Sequence, residues 1–329
     1  MIAPDIAVKN TTALTYQQPL TELRQEISTI IVGQEAVIDQ LMIALLAGGH
    51  VLLEGVPGIA KTLLIKTLSE CLDCGFVRLQ FTPDLLPADI IGTKIYNQNE
   101  AVFSTTKGPI FHQFVLADEI NRAPPKVQSA LLEAMQERQV TIQGDTFPLE
   151  EPFFVLATQN PIESEGTYSL PEAQLDRFML KVLMTYPSLE EEIRILDRFS
   201  ETVPVRPSPL LNEQQLRAMQ AFTRTIYASP DIKRYVAELV DATRNPKTYG
   251  LSIGEYIACG ASPRASINLV LTAKAHALLN GRGYVIPHDI KVVAHSVLRH
   301  RIIRTYTAEA EEISTDRMID TILDTIRVP

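Results

Sequence analysis

The run Val51-Leu52-Leu53-Glu54-Gly55-Val56-Pro57-Gly58-Ile59-Ala60-Lys61-Thr62 decides how this chain is read. Val51–Leu53 is short and apolar, as expected of a strand buried on both faces of a parallel sheet. Helical spacing begins at residue 61. A glycine-containing loop between a strand and a helix is the context of a phosphate-binding loop. Backbone N–H groups at the helix start cradle phosphate oxygens. Lys61 reaches the β- and γ-phosphates, and the Thr62 hydroxyl holds Mg²⁺. The binding segment is taken as Gly55, Val56, Pro57, Gly58, Ile59, Ala60, Lys61, Thr62 and Leu63. Ala60 stands where such loops usually carry a glycine, and it is expected to fit only at negative φ. The alternative is a strand-to-helix turn with no ligand.

Outward from this run, Phe76–Phe81, Phe114–Ala117 and Phe153–Ala157 read as further buried strands, and 34–47, 61–72 and 125–138 as helices. Strands alternating with helices indicate an α/β sandwich. The strand at 114 ends in Asp118-Glu119. There Asp118 can orient a water on Mg²⁺, and Glu119 can act as general base on the attacking water; the alternative is a solvated acidic strand end. The strand at 153 ends in Thr158-Gln159-Asn160. Placed in the sheet between the first two strands, it would aim Asn160 at the γ-phosphate, the alternative being an Asn that caps the next turn.

Two stretches break the rhythm. Thr93–Tyr96 and Ala101–Ser104, around Asn97–Glu100, read as an inserted hairpin, and residues 139–149 as a second with Gly144-Asp145 at its tip. Beyond about residue 187 strand signals fade. Helices are expected at 188–200, 212–227, 230–244, 264–280, 288–300 and 314–326. Pro204, Pro207 and Pro209 mark a linker between the first two. The expected division is an α/β domain over 1–186 and an all-helical domain over 187–329.

The 329 residues suit two domains at roughly 150 per domain. With 46% hydrophobic and 21% charged residues, disordered and collagen-like classes are excluded. Three cysteines cannot staple such a chain. Cys71 and Cys74 form a C-x-x-C with no second pair to complete a zinc ribbon, so two half-buried helix-end thiols are expected. Free thiols fit a reducing, cytoplasmic compartment. The greasiest stretch, Leu41–Leu53, is broken by Gly48, Gly49 and His50 and is too short to span a bilayer. Residues 1–185 hold 12 Lys and Arg against 22 Asp and Glu, and the remainder 18 against 17. The acidic first half disfavours nucleic acid as a partner. Arg299, Arg301 and Arg304 read as a solvated helix face, and His288 and His295 as no metal pair. His112 reads as a strand-edge residue near the site.

Two arginines resist reading by pattern. Arg177, in Leu175-Asp176-Arg177-Phe178, suits a salt bridge with Asp176 or Glu172. Arg264, in Gly260-Ala261-Ser262-Pro263-Arg264, suits a solvated helix start.

In this order the motifs resemble those of an AAA+ ATPase. The run Asp118–Glu137 looks like the MoxR branch, as do Gly55–Thr62 with its Ala60, Thr158–Pro161 and Leu170–Phe178. The resemblance covers roughly residues 20–300. It implies an α/β fold, the AAA+ P-loop αβα sandwich with a parallel sheet and a smaller all-helical lid. It gives Lys61 and Thr62 the Walker A roles and Asp118 and Glu119 those of Walker B, with Thr62 and Asp118 at the metal. Asn160 matches sensor 1. Arg177 matches an arginine finger acting on the neighbouring subunit's nucleotide, and Arg264 a sensor-2 arginine on the lid. Val32-Gly33-Gln34 resembles the segment lining the adenine, and the two hairpins resemble inserts facing a ring's central pore.

The implied function is a ring-forming, hexameric, Mg²⁺-dependent ATPase that couples ATP hydrolysis to remodelling, assembly or activation of a protein client. Such a client often carries a von Willebrand factor A domain. The alternatives are a nucleotide-gated switch with little hydrolysis, a nucleic-acid translocase, and the neighbouring magnesium chelatase branch.

Overall fold

The structure is a computed structural model that describes residues 4–56, 58–98, 102–161, 166–201 and 206–329. Pro57, the tip of the first hairpin and Pro204 lie outside the described residues. In chain order the elements are α1 (Pro4–Ile30), α2 (Glu35–Ala47), β1 (Val51–Gly55), α3 (Lys61–Cys71), β2 (Phe76–Gln80), α4 (Pro87–Ile91), β3 (Gly92–Asn97), β4 (Val102–Lys107) and β5 (Phe114–Asp118). Then come α5 (Pro125–Glu137), β6 (Gln139–Ile142), β7 (Asp145–Pro148), β8 (Phe154–Gln159), α6 (Glu172–Leu175) and β9 (Leu180–Met184). The last part holds α7 (Leu189–Glu201), α8 (Glu213–Thr225), α9 (Pro230–Arg244), β10 (Ile257–Cys259), α10 (Pro263–Leu279), α11 (Pro287–Leu298), β11 (Ile303–Arg304), α12 (Tyr306–Ala310) and α13 (Thr315–Thr325).

Five parallel strands in the order β2-β5-β8-β1-β9 make the central sheet. Successive side chains take opposite faces. Val51, Leu53, Phe114, Leu116, Phe154 and Leu156 join the core shared with α1, α2, α3 and the C-terminal helices. Leu52, Val115, Ala117, Val155 and Ala157 pack with Val127, Leu131, Leu132 and Met135 of α5. Burial of both faces is why the strands read as nearly unbroken apolar runs. The parallel order places the C-terminal ends of β1, β5 and β8 side by side, and with them every strand-end candidate.

Several expectations are corrected. The sheet has a fifth strand, β9, an edge strand whose buried Leu180, Val182 and Met184 alternate with Lys181 and exposed Leu183. The 27-residue α1 is a further addition to the expected elements, with Ala13, Leu20, Leu23, Ile27 and Ile30 forming its buried stripe. Its threonines and Pro19 mask the helix in sequence, and Thr11, Thr12 and Thr21 hydroxyls bond back to carbonyls four residues earlier. The C-terminal part is helical at the expected places but also holds the antiparallel β10–β11 pair. The second hairpin turns at Gln143-Gly144, both at positive φ, so Asp145 pairs with Ile142 instead of sitting at the tip. Lys94 of the first hairpin bridges to Asp145 of the second at 2.8 Å, which ties the two inserts together.

Arg299 and Arg301 are not on a solvated face. Arg301 is buried, with Nε on Asp176 Oδ1 at 2.7 Å and Nη2 on the Phe178 carbonyl at 2.6 Å. Arg299 forks onto Asp316 and donates to the Lys181 carbonyl at 3.0 Å. Both fasten the helical part to the chain on either side of the start of β9. Cys71 is buried at the end of α3, Cys74 is half-buried, and burial pushes both thiols up to about 12, so neither ionises near neutrality. Among the described residues no helix is long and apolar enough to cross a membrane.

His50, buried before β1, accepts the Val155 N–H at Nδ1 (3.0 Å) and donates from Nε2 to the Met135 carbonyl (3.1 Å). Burial, then the Arg138 charge, holds its pKa down at about 3 against an ordinary 6.5. The neutral form is therefore favoured by folding. That stability is present in full above pH 6.5 and drains as pH falls towards 3. Buried His300 is shifted in the same direction. Thermal unfolding should show a loss of about 1 kcal/mol per pH unit from His50 between pH 6.5 and 5. His50→Gln, whose amide can keep both hydrogen bonds, should flatten that slope; an unchanged slope would refute the assignment.

Candidate functional site: a phosphate-binding cleft

The loop between β1 and α3 wraps the start of α3 as the sequence suggests, with one correction. Ala60 lies at φ 63°, ψ 25°, in the left-handed region, and not at negative φ. Its methyl is the smallest side chain that can occupy this sterically allowed pocket, at a cost of about 1–2 kcal/mol. Gly58, at φ +83°, takes the conformation only glycine adopts readily. Gly55 cannot carry a side chain, because a Cβ there would lie 2.8 Å from the Met184 carbonyl oxygen. Its own carbonyl accepts from Lys61 Nζ at 2.6 Å, which holds the ammonium over the loop.

Gly58, Ala60, Lys61, Thr62 and Leu63 form one wall of a cleft of about 470 Å³, and Asp118, Glu119 and Asn160 the other. Asp118 ends β5 and is buried, with Oδ1 accepting from the Thr158 hydroxyl at 2.6 Å. Glu119, at φ 56°, turns the chain out of β5 so that its carboxylate faces the cleft mouth. Its N–H donates to Thr158 Oγ1 at 2.9 Å, its Oε2 accepts from Gln80 Nε2 at 2.8 Å, and Arg122 Nε stands 3.2 Å away. Thr158 thus links both acids to β8. Asn160, just past β8, is buried at the same end of the sheet.

The sequence reading missed Arg78 on β2. It lines the cleft and donates from Nε and Nη2 to Asp118 Oδ2 at 3.0 and 2.7 Å. The available signal was a charged residue amid the apolar run Phe76–Phe81.

An apolar pocket of about 310 Å³ adjoins the cleft through Gly58, Ala60 and Leu63. Ile30, Ile31, Val32 and Gln34 line one side, Tyr186, Ile195 and Phe199 the other, and Ile59 its floor. A flat heterocycle suits such a lining. Gln34 is anchored by Nε2 to the Thr185 carbonyl at 2.8 Å. Gly33 does not line the pocket; it makes the turn at φ +69° and leaves room for Glu191. Val56 packs partly into the core. The helix expected over 188–200 carries no sign in sequence that Ile195 and Phe199 face this pocket, because they lie far along the chain from Gln34.

Arg177 and Arg264 do not line either cavity. Both sit by the segment that leads into β9, whose Leu180 pairs with Val51 at the end of β1 remote from the loop. Arg264 Nη1 contacts Asp176 Oδ2 at 3.2 Å, and so is paired and not merely solvated. Asp176 is further occupied by Arg301 and by the Ser262 hydroxyl at 3.1 Å. Arg177 therefore has neither expected salt bridge: among the described residues its half-buried guanidinium has no carboxylate partner. His112 is also not near the cleft; it precedes the opposite, N-terminal end of β5, with Nδ1 against the Pro109 carbonyl at 2.8 Å.

Comparison with known proteins agrees with this geometry. The family model of ATPases associated with various cellular activities (AAA) matches residues 50–180, and that of the AAA lid domain residues 252–322. Chaperone MoxR1 of Mycobacterium tuberculosis is 49% identical over 305 residues, 92% of this chain and 81% of that one. Protein MoxR of Paracoccus denitrificans is 33% identical over 321 residues, 91% of this chain and 93% of that one. The chain belongs to the MoxR family of AAA ATPases. A crystal structure from Cytophaga hutchinsonii superposes with a TM-score of 0.92 at 48% identity, covering 99% of this chain and 100% of that one. As an AAA ATPase the chain binds ATP and hydrolyses it, and the C-terminal helices are its lid.

Proposed function

We propose that this MoxR-type ATPase works as a ring, hexameric and Mg²⁺-dependent, that spends ATP on remodelling, assembling or activating a protein client. The observation that carries the ring is Arg177. Among the described residues it has no carboxylate partner, and it lies a strand's length from its own cleft, beside Arg264. Five residues of strand span about 16 Å, farther than an arginine side chain reaches. A cation so placed acts on a nucleotide only across a subunit boundary, and Arg264 shares that boundary.

Within each subunit Lys61 holds the β- and γ-phosphates, the α3 start supplies N–H donors, and the apolar pocket with Gln34 takes the adenine. Glu119 accepts a proton from the attacking water, which Asn160 orients. Thr62 and Asp118 offer a hydroxyl and a buried carboxylate in one cleft, hard oxygen donors of the kind Mg²⁺ prefers. Bound there, Mg²⁺ neutralises charge on the phosphate oxygens. We divide the chain into a nucleotide-binding domain over 1–186 and a lid over 187–329.

A protein client is supported by the first hairpin. Ile95, Tyr96, Val102 and Phe103 are exposed on β3 and β4, with Tyr96 and Phe103 rings 5.0 Å apart. Exposed aromatic clusters of this kind contact polypeptide. The acidic first half favours a protein over DNA, and a client with a von Willebrand factor A domain, in the cytoplasm, is the family's inference. Light scattering with ATPase measured on the same samples tests the ring: specific activity should rise steeply as assembly proceeds. Full activity in a monomer would sink the reading.

A further inference from the structure

Both oxygens of Asp118 are occupied by the protein itself. Oδ1 takes the Thr158 hydroxyl at 2.6 Å, and Oδ2 takes two N–H groups of Arg78 at 3.0 and 2.7 Å. An ionised carboxylate has about four lone-pair sites, so three are filled, two of them by a cation that cannot deprotonate. The same guanidinium donates from Nη2 to Gln80 Oε1 at 2.8 Å, and Gln80 donates to Glu119 Oε2 at 2.8 Å. One hydrogen-bonded chain, Asp118–Arg78–Gln80–Glu119, thus holds both acids of the cleft. Arg78 stands on the edge strand β2 with its side chain 49% exposed, against 12% for Asp118. Of the two partners, Arg78 is the one with room to leave.

We propose that Arg78 is the resident counter-ion of Asp118 in the nucleotide-free protein, and that it swings off Oδ2 when the metal site fills. Arg78 is a positioning residue: it keeps the empty cleft from presenting a bare carboxylate to incoming phosphates, and it competes with the divalent cation for Asp118. This rests on the proposed metal role of Asp118. Its consequence is a weakened coupling between Mg²⁺ and nucleotide, the ratio of nucleotide affinities with and without the metal. Without Arg78, metal-free nucleotide meets an unscreened Asp118 and binds more weakly, while the metal-loaded affinity holds or rises. The ratio must grow.

The test is equilibrium binding of mant-ADP to the full chain in excess Mg²⁺ and in EDTA. The ratio of the two dissociation constants is expected to be about tenfold larger in Arg78→Gln than in wild type, and intermediate in Arg78→Lys, which keeps the charge without the fork. Arg78→Met, which preserves the apolar stem, replaces Arg78→Gln if thermal unfolding shows the latter is not folded. A ratio unchanged or smaller in a folded variant overturns the proposal, since a merely structural arginine would shift stability and not this ratio. Asp118→Asn separates the two layers. A ratio near that of wild type in Asp118→Asn removes the metal reading itself. A collapsed ratio there with no change in Arg78→Gln removes only the role of Arg78.

Discussion

Arg177→Ala should lose turnover by about 10³-fold or more while the assembly persists and ATP still binds. The side chain is half-buried at the start of β9, and its neighbour Asp176 is already taken by Arg264, Arg301 and Ser262. Removing Arg177 breaks no ion pair among the described residues, so their packing has little reason to respond. An arginine that reaches a developing phosphoryl charge is worth several kcal/mol in the transition state and little in the ground state. Steady-state turnover should therefore fall far more than nucleotide affinity. Mass and ATPase rate measured together on wild type and variant separate the outcomes. A variant that hydrolyses at the wild-type rate would make Arg177 structural. One that loses its assembly along with its activity would move Arg177 from chemistry to packing.

Glu119→Gln should keep nucleotide binding and lose turnover by about 10²–10⁴-fold, the range of a removed general base. The geometry makes this change clean. Glu119 N–H bonds to Thr158 through the backbone, which the substitution leaves alone, and the new amide oxygen can still accept from Gln80. The capacity to take a proton is lost, and with it the charge that faces Arg122 on a half-exposed pair. Isotherms of mant-ADP alongside single-turnover hydrolysis of ATP give the two numbers. Surviving turnover would return Glu119 to the role of a turn-forming acid held by Gln80 and Arg122. The two variants also test each other. In a mixed assembly an Arg177→Ala subunit keeps its Glu119 and can receive the finger of a Glu119→Gln neighbour. Mixing two nearly inactive proteins should restore part of the rate. Absence of any recovery in a demonstrated mixed assembly would place both residues on one nucleotide within one subunit.

Much of the molecule was legible before any coordinates. The loop at 55–62, the apolar runs ending in Asp118 and near Asn160, and the helices of the lid follow from local chemistry: period, strand length, glycine, and proline at helix starts. Those elements lie in the structure within a residue or two of their expected bounds. What escaped has a common character. The strand β9 alternates like a half-exposed edge, and α1 hides its buried stripe behind threonines and a proline. The backbone of Ala60 could not be inferred, since whether an alanine accepts the left-handed region depends on what the loop around it requires.

The αβα class, the phosphate loop, the two strand-end acids and the helical lid follow from the order of residues alone. Each is encoded within a stretch of a dozen residues, where sterics and periodicity act on neighbours. Which residues meet across the chain is set by the folded packing. It put Arg78 on Asp118 across forty residues, and drew Arg299 and Arg301 from an apparent solvated face onto Asp316 and Asp176. Among the described residues it also left Arg177 without a carboxylate, beside its crowded neighbour Asp176. A carboxylate accepts whichever donor the packing brings to it, and a one-dimensional pattern does not record which strands lie side by side.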